Sequence, residues 1–169
     1  REFKEHQLID ILQPCYNLLW RGIEKAVLPI CRASKIAVFA YSPLAQGILA
    51  GKYLAPEEMP ELKSDPRRSN ILLKAENLPA VQKVVAALKV IAEDLKVTPA
   101  QVALAWLLAQ KDLSGVIVGV TKEAQLIDNL KALDLSLSPE ILSELSVISE
   151  EVGFKHESYD TLWGWHPRK

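Results

Sequence analysis

AYSPLAQGILAGKY, residues 40–53, is the stretch on which the reading of the fold turns. It is too apolar for an ordinary surface loop and too rich in glycine and proline for a helix. It follows KIAVFAY (35–41), a continuous β-prone run of the kind expected for a strand buried on both faces. In parallel β/α folds, ligands sit at the carboxyl ends of the strands. Tyr41 stands where this strand ends, and a ring there can stack on a flat heterocycle. Ser42-Pro43-Leu44-Ala45 runs past it and offers backbone N–H groups at Ser42, Leu44 and Ala45. Gly47 and Gly51 allow positive φ and close backbone approach, and Lys52 can reach a phosphate as a point charge. The alternative reading of these residues is a Gly/Pro turn beside a core tyrosine.

Elements alternate on either side of this stretch. LIDILQPCYN (8–17) is a short apolar run closed by proline, a strand candidate. Over residues 20–33, Ile23, Val27, Ile30 and Cys31 recur with a helical period. Residues 54–79 are rich in proline and charge, without a clear period, and read as a long loop excursion; such loops in compact domains are usually functional or mobile. Val81, Val84, Val85, Leu88, Ala92 and Leu95 then form one helical stripe. Thr98-Pro99-Ala100-Gln101 is a capping box with proline at the first helical position, opening a helix buried through Val102, Ala105, Trp106 and Ala109. SGVIV (114–118) is a third short strand. Thr121 is placed to cap a helix carrying Leu126, Ile127 and Leu130, and Ser138-Pro139 starts another with Leu142, Leu145 and Ile148. The tail, 151–169, holds Trp163, Trp165 and His166. The order β-α-β-loop-α-α-β-α-α-tail implies a parallel β/α architecture. Three strands with this many helices make an arc of a larger sheet or barrel, within a single domain over 1–169.

Composition narrows the class. Of 169 residues, 49% are apolar and 24% charged, with a net charge of −1, which is ordinary for a folded globular chain. No basic stripe points to nucleic acid, and no apolar run reaches the length of about 18 residues that a membrane helix needs. Cys15 and Cys31 fit no zinc or redox spacing, so a reduced, cytoplasmic setting is expected. The opening REFKEHQ is polar and charged, unlike a signal peptide. It begins on Arg1 in what reads as the tail of a helix or loop, so the chain is expected to be processed or a piece of a longer one.

Two more strand ends carry candidate groups. Gln13, after the first strand, offers a donor and an acceptor to an amide-bearing ligand, or it serves only a strand-end backbone group. Gly119-Val120-Thr121-Lys122 runs from the third strand into a helix start, where free N–H groups and the dipole favour anions. Gln125, Asp128 and Asn129 then share a helix face suited to ribose or base contacts; a plain N-cap and a solvated face are the alternative. His6, His156 and His166 are too scattered for a metal motif. Arg67-Arg68 is either a phosphate clamp or a solvated pair. No GxGxxG, Walker or GxSxG motif occurs.

These segments together resemble the aldo-keto reductases. YSPLAQGILAGKY (41–53) is similar to the strand-seven segment of that family and VIVGVTKEAQLIDNL (116–130) to its strand-eight signature. QPCYNLLWR (13–21) resembles the strand-six segment and VTPAQVALAWLL (97–108) the helix before strand eight. All four occur in family order, over roughly residues 8–150, nearest the branch of bacterial general reductases and potassium-channel β-subunits. The resemblance implies the C-terminal portion of a (β/α)8 TIM barrel, about three β/α units plus extra helices, that binds NADP(H) in an extended pose. It implies that Tyr41 stacks on the nicotinamide and Gln13 bonds its carboxamide. Ser42, Leu44, Gln46 and Gly47 would line the pyrophosphate path, with Lys52 nearby. Thr121, Gln125, Asp128 and Asn129 would hold the adenosine end after Gly119, and Lys122 would face the 2′-phosphate. Arg67 or Arg68 corresponds to a phosphate-clamping arginine.

The chain departs from the family in one respect. The family's catalytic Asp, Tyr, Lys and His come from the first four strands, and a Ser-Asn pair follows the fifth; none of those segments is present. The resemblance therefore implies the cofactor-binding part of a reductase of aldehydes or ketones, inactive alone and lacking a catalytic residue. The alternative is a non-catalytic interaction module whose open barrel edges pair with itself or with a partner chain. A generic phosphate-binding β/α protein satisfies composition and periodicity alone.

Overall fold

The run 35–41 forms the middle of the sheet. In the computed structural model, which describes residues 9–53, 55, 69–156 and 162, strand β2 is Ala37–Tyr41. It lies between β1 (Ile11–Leu12) and β3 (Gly115–Ile117) in the order β1-β2-β3. Both pairings are parallel, with Ile11 opposite Ala37 and Tyr41 opposite Ile117. The expected strand over 8–17 shrinks to two residues and isolated bridges from Cys15 to Tyr41 and from Asn17 to Trp20. Pro14 is the reason, because it has no N–H to give a ladder. β2 is also not buried on both faces: Val38 and Ala40 are buried, while Ala37, Phe39 and Tyr41 are half-buried. It starts at Ala37 because Lys35 adopts a left-handed conformation (φ 56°) that closes the preceding helix.

Helix α1 (Ile23–Ser34) crosses between the first two strands and buries Ile23, Leu28 and Cys31. Ile30, expected on that face, lies beyond the edge of the buried arc and is exposed. Helix α2 (Leu78–Leu95) buries Val81, Val84, Val85, Leu88 and Ala92 as their spacing predicts, and Ile91 in addition. Of the predicted stripe, Leu95, at the helix end, faces solvent. Helix α3 (Pro99–Leu108) opens on the expected capping box: the Gln101 N–H donates to Thr98 Oγ1 at 3.3 Å and the Thr98 N–H to Gln101 Oε1 at 3.0 Å. Every residue from Ala100 to Leu107 is buried, as for a helix enclosed on all sides. Ala109, expected in that buried set, follows the helix and is exposed.

Helix α4 (Glu123–Leu130) contains no buried residue, and its Leu126, Ile127 and Leu130 face outward. Helix α5 (Pro139–Ile148), capped by Ser138, turns Leu145 into the core, and α6 (Glu150–Gly153) buries Val152. Residues 54 and 56–68 of the expected excursion lie outside the described residues. Its far end is not a loose loop: Ile71–Leu73 forms a 3₁₀ turn with all three residues buried, capped by Asn70. Leu162 of the tail is buried as well, and its carbonyl accepts the Ile71 N–H at 2.8 Å. Trp163, Trp165 and His166 lie outside the described residues. His156 stacks on Trp20 with ring centroids 4.7 Å apart.

A buried polar cluster joins the loop after β1 to α5 and α6. The Arg21 guanidinium forks onto Glu24 at 2.7 and 3.0 Å and donates to the Ser146 carbonyl and Ser149 Oγ. It lies between the rings of Trp106 and Phe154. The Tyr16 hydroxyl donates to the same Glu24 carboxylate at 2.8 Å.

Candidate functional site

Parallel pairing brings three chain segments to one end of the sheet. Gln13 follows β1, Tyr41 ends β2, and Gly119 follows β3. The first two are stitched together directly: the Tyr41 N–H donates to the Pro14 carbonyl at 2.9 Å, and the Tyr16 N–H to the Tyr41 carbonyl at 3.3 Å. Gln13 is exposed and Tyr41 half-buried beside it. Burial, and then the neighbouring Cys15, push the Tyr41 phenol above its ordinary value. Burial pushes the Cys15 thiol up to about 12, so it stays a protonated, inert core group.

The segment after Tyr41 is strained. Ser42, Ala45, Gln46 and Tyr53 all have positive φ (51°, 47°, 61° and 64°), joined by Gly47 at 100° and Gly51 at 83°. Each non-glycine residue in this region costs roughly 1–2 kcal/mol, and such residues gather at ligand sites when their surroundings hold them. Two buried asparagines hold these. Asn17 donates to the Ser42 carbonyl at 2.9 Å while accepting the Leu19 N–H. Asn70 donates to Gln46 Oε1 at 2.8 Å while capping its own turn. Of the three N–H groups expected to face a ligand, that of Ala45 is used internally, donating to the Ser42 carbonyl at 2.9 Å. Leu44 is half-buried, its carbonyl accepting from Gly47 and Leu49, and Lys52 is exposed. Arg67 and Arg68 lie outside the described residues.

The third segment differs from expectation in its cap. Lys122, not Thr121, is the N-cap of α4, and its side chain makes no capping bond. Thr121 instead donates from its N–H and its hydroxyl to Gln125 Oε1, at 2.9 and 3.2 Å. Gly119 is exposed, with no atom within 4 Å of where a Cβ would stand, and Thr121 and Lys122 are exposed. Gln125, Asp128 and Asn129 share the half-buried side of α4, as their spacing predicts. Asp128 is already engaged: its carboxylate and carbonyl accept from Gln101 Nε2 at 2.9 and 2.8 Å, and it meets Thr98 Oγ1 and Lys131 Nζ at 3.4 Å. Among the described residues, no three His, Cys, Asp or Glu side chains gather as metal ligands would.

Asn17, Asn70 and Gln101 escaped the sequence reading as site residues. Asn17 lies within the QPCYNLLWR segment but has no role assigned there, Asn70 carries no motif, and Gln101 reads as half of a capping box. Their partners lie 25, 24 and 27 residues away in sequence.

Parallel β/α units with a strained, anchored loop and open strand ends on one side form part of a (β/α) barrel. The chain belongs to the aldo/keto reductase family, whose model matches residues 3–150. It is 34% identical over 154 residues to a probable voltage-gated potassium channel subunit beta of Oryza sativa, covering 87% of this chain and 46% of that protein. It is 33% identical over 138 residues to the NADH-specific methylglyoxal reductase of Escherichia coli, covering 82% and 41%. To the Schizosaccharomyces pombe aldo-keto reductase yakc [NADP(+)] it is 35% identical over 122 residues, covering 72% and 35%. The chain thus spans less than half the length of these relatives.

Proposed function

We propose that this chain is the cofactor-binding part of an NADP(H)-dependent reductase of aldehydes or ketones. The observation that carries the reading is the strained 42–47 loop, pinned by Asn17 and Asn70 beside the half-buried Tyr41 ring. The donor set fits a nicotinamide dinucleotide. A half-buried ring and an exposed amide, Tyr41 and Gln13, suit the nicotinamide end. Ser42, Leu44, Gln46, Gly47 and exposed Lys52 suit the pyrophosphate, and the region after Gly119 suits the adenosine end. There Thr121 shares a hydrogen-bond set with Gln125, Asn129 lies on the same half-buried side, and exposed Lys122 offers a charge for a 2′-phosphate. Arg68 is a further candidate for that phosphate. When bound, the cofactor supplies the hydride for carbonyl reduction.

The chain's own residues orient that cofactor and supply no proton. Tyr16 is buried and donates to Glu24, and burial together with that carboxylate pushes its phenol up, so it cannot serve as the acid. The acid has to come from chain beyond these residues, and the isolated chain is inactive. Of two relatives, one is named for NADH and the other for NADP(+), so the cofactor preference is the sharpest test. In the full polypeptide that carries this chain, Lys122→Ala weakens NADPH by about tenfold while leaving NADH within twofold, as for a lost charge–phosphate contact. Equal loss for both cofactors refutes the 2′-phosphate assignment. Failure of that polypeptide to oxidise NADPH with any aldehyde or ketone refutes the reductase reading. The setting proposed is cytoplasmic; both cysteines are unpaired and buried, and no helix among the described residues is long and apolar enough to cross a membrane.

A second reading draws on the uncovered side of the sheet. β1 and β3 each pair only with β2 among the described residues, and Ile11, Ile117 and Val120 are exposed at those outer strands. A non-catalytic module that pairs with itself or with a partner chain would cover them. Light scattering on the 169-residue chain decides this: a well-folded monomer that recruits no other chain counts against it.

A further inference from the structure

Helix α4 carries Gln125 and Asn129 yet has no buried residue. Its apolar residues Leu126, Ile127 and Leu130 point outward. A helix in that position is not held by apolar packing of its own. Only the turn that follows it contributes a buried side chain, Ala132. What holds the helix itself is polar. Gln101, 3% exposed on α3, makes three side-chain hydrogen bonds, two from its nitrogen and one to its oxygen. Its Oε1 accepts the Thr98 N–H at 3.0 Å, and its Nε2 donates to both the carbonyl and the carboxylate of Asp128, at 2.8 and 2.9 Å. Asp128 lies three residues after Gln125 and just before Asn129, so one buried amide sets both the depth and the rotation of the face that bears them.

We propose that Gln101 is a positioning residue for the adenosine end of the cofactor site, acting through Asp128, and that Asp128 serves this helix anchor and not the ligand. The inference rests on the cofactor reading above. A buried amide suits the task because its two kinds of group face opposite ways. The oxygen completes the cap of α3 and the nitrogen clamps α4, so one rotamer registers two helices. Hydrogen bonds to a charged group are stronger than neutral ones, and misplacing ligand-facing side chains by about 1 Å is costly.

Gln101→Glu separates the two tasks. A glutamate keeps the capping box, which accepts Glu as readily as Gln, but puts an oxygen against both acceptors of Asp128. In the full polypeptide, adenosine 2′,5′-bisphosphate and nicotinamide mononucleotide are titrated as probes of the two ends, and amide exchange is followed along the chain. Gln101→Glu is expected to weaken the adenosine bisphosphate about tenfold and leave nicotinamide mononucleotide within twofold. It also speeds exchange in 123–130 while leaving 81–92 protected. Asp128→Ala, which removes the acceptor of the Thr98 hydroxyl but keeps both bonds of the α3 capping box, gives the same pattern. Asp128→Asn keeps an acceptor for Gln101 and stays within threefold of the parent. Adding Asp128→Asn to Gln101→Glu restores a donor–acceptor match between the side chains and regains at least threefold. An adenosine bisphosphate affinity unchanged in Gln101→Glu, or both probes weakened equally, overturns the proposal while leaving the cofactor reading intact. If Asp128→Asn weakens binding as much as Asp128→Ala, the carboxylate meets the ligand and the anchor role falls. A parent protein that binds neither NADPH nor the bisphosphate refutes the cofactor reading and this inference with it.

Discussion

Replacing Asn17 with alanine tests whether the strained loop is held from outside. Asn17 is buried and makes two bonds of normal length, donating to the Ser42 carbonyl and accepting from the Leu19 N–H, both at 2.9 Å. The Ser42 carbonyl keeps a second donor, the Ala45 N–H, so losing the tether there costs only the net value of a hydrogen bond, about 0.5–1.5 kcal/mol. Leu19 is different: its buried N–H loses the acceptor the asparagine supplied, at a cost of about 1–3 kcal/mol. Against this, Ser42 at φ 51° is released and can relax part of roughly 1–2 kcal/mol of strain. The expected net loss is about 2–3 kcal/mol. For a chain of this size that lowers the melting temperature by roughly 4–12 °C. Urea denaturation followed by the fluorescence of buried Trp20 and Trp106 measures it. Asn17→Asp keeps the acceptor for Leu19 but turns an anion toward a carbonyl, and it should lose at least as much as alanine. A loss below about 0.5 kcal/mol for Asn17→Ala, the scale of ordinary surface changes, refutes the anchoring argument.

Three further outcomes follow from the packing. Arg21→Met removes the cation packed over Trp106 and Phe154 and leaves the Glu24 carboxylate only the Tyr16 hydroxyl, and should cost about 3 kcal/mol in urea denaturation; the paired change Arg21→Met with Glu24→Leu should cost less. Gly115→Ala places a Cβ 2.8 Å from the Phe39 ring and should cost about 1–3 kcal/mol as overpacking, with most of the loss absent in a Phe39→Ala background. Burial raises the Cys15 thiol from about 9 to about 12 and raises Cys31 in the same direction. Because the folded form prefers the protonated thiol, its contribution is complete below about pH 9 and is lost as pH rises toward 12. The urea midpoint should therefore fall between pH 8 and pH 10.5, less steeply in Cys15→Ser, and a flat profile in the parent would contradict the burial of that thiol.

The parts of the fold legible in the sequence are those that local chemistry decides. The stripe of Val81, Val84, Val85 and Leu88 has one helical solution, and Thr98 with Gln101 announces its cap because both partners lie within one turn. The parallel order followed from alternation alone. Boundaries failed where one residue's backbone chemistry outweighed the run around it. Pro14 cut β1 short, and left-handed Lys35 delayed β2 by closing α1. The buried turn Ile71–Leu73 went unread because three residues hold too little period to stand out from a charged, proline-rich stretch.

The candidate site divides on the same line. The ring of Tyr41 at a strand end and the positive φ of Gly47 were legible because they belong to the residue itself. The anchors Asn17, Asn70 and Gln101 were not, because their roles are defined by distant partners. Helix α4 shows the limit of periodicity most plainly. Leu126, Ile127 and Leu130 form an apolar side as clear as that of α2, yet they are exposed while the α2 side is buried. An apolar stripe states that a surface needs covering; it does not state by what. In α2 the cover lies among the described residues; in α4 none of the described residues supplies it. Apolar patches of this kind mark interaction surfaces, so whatever chain packs there adds apolar contacts to the polar clamp of Gln101. The clamp should then matter most in the 169-residue chain and less in a complete barrel. Exchange in 123–130 compared between the short and the full polypeptide measures that difference directly. Equal protection in the two would mean that nothing further covers this side of α4 in the full polypeptide and that the polar contacts to Asp128 suffice to hold it.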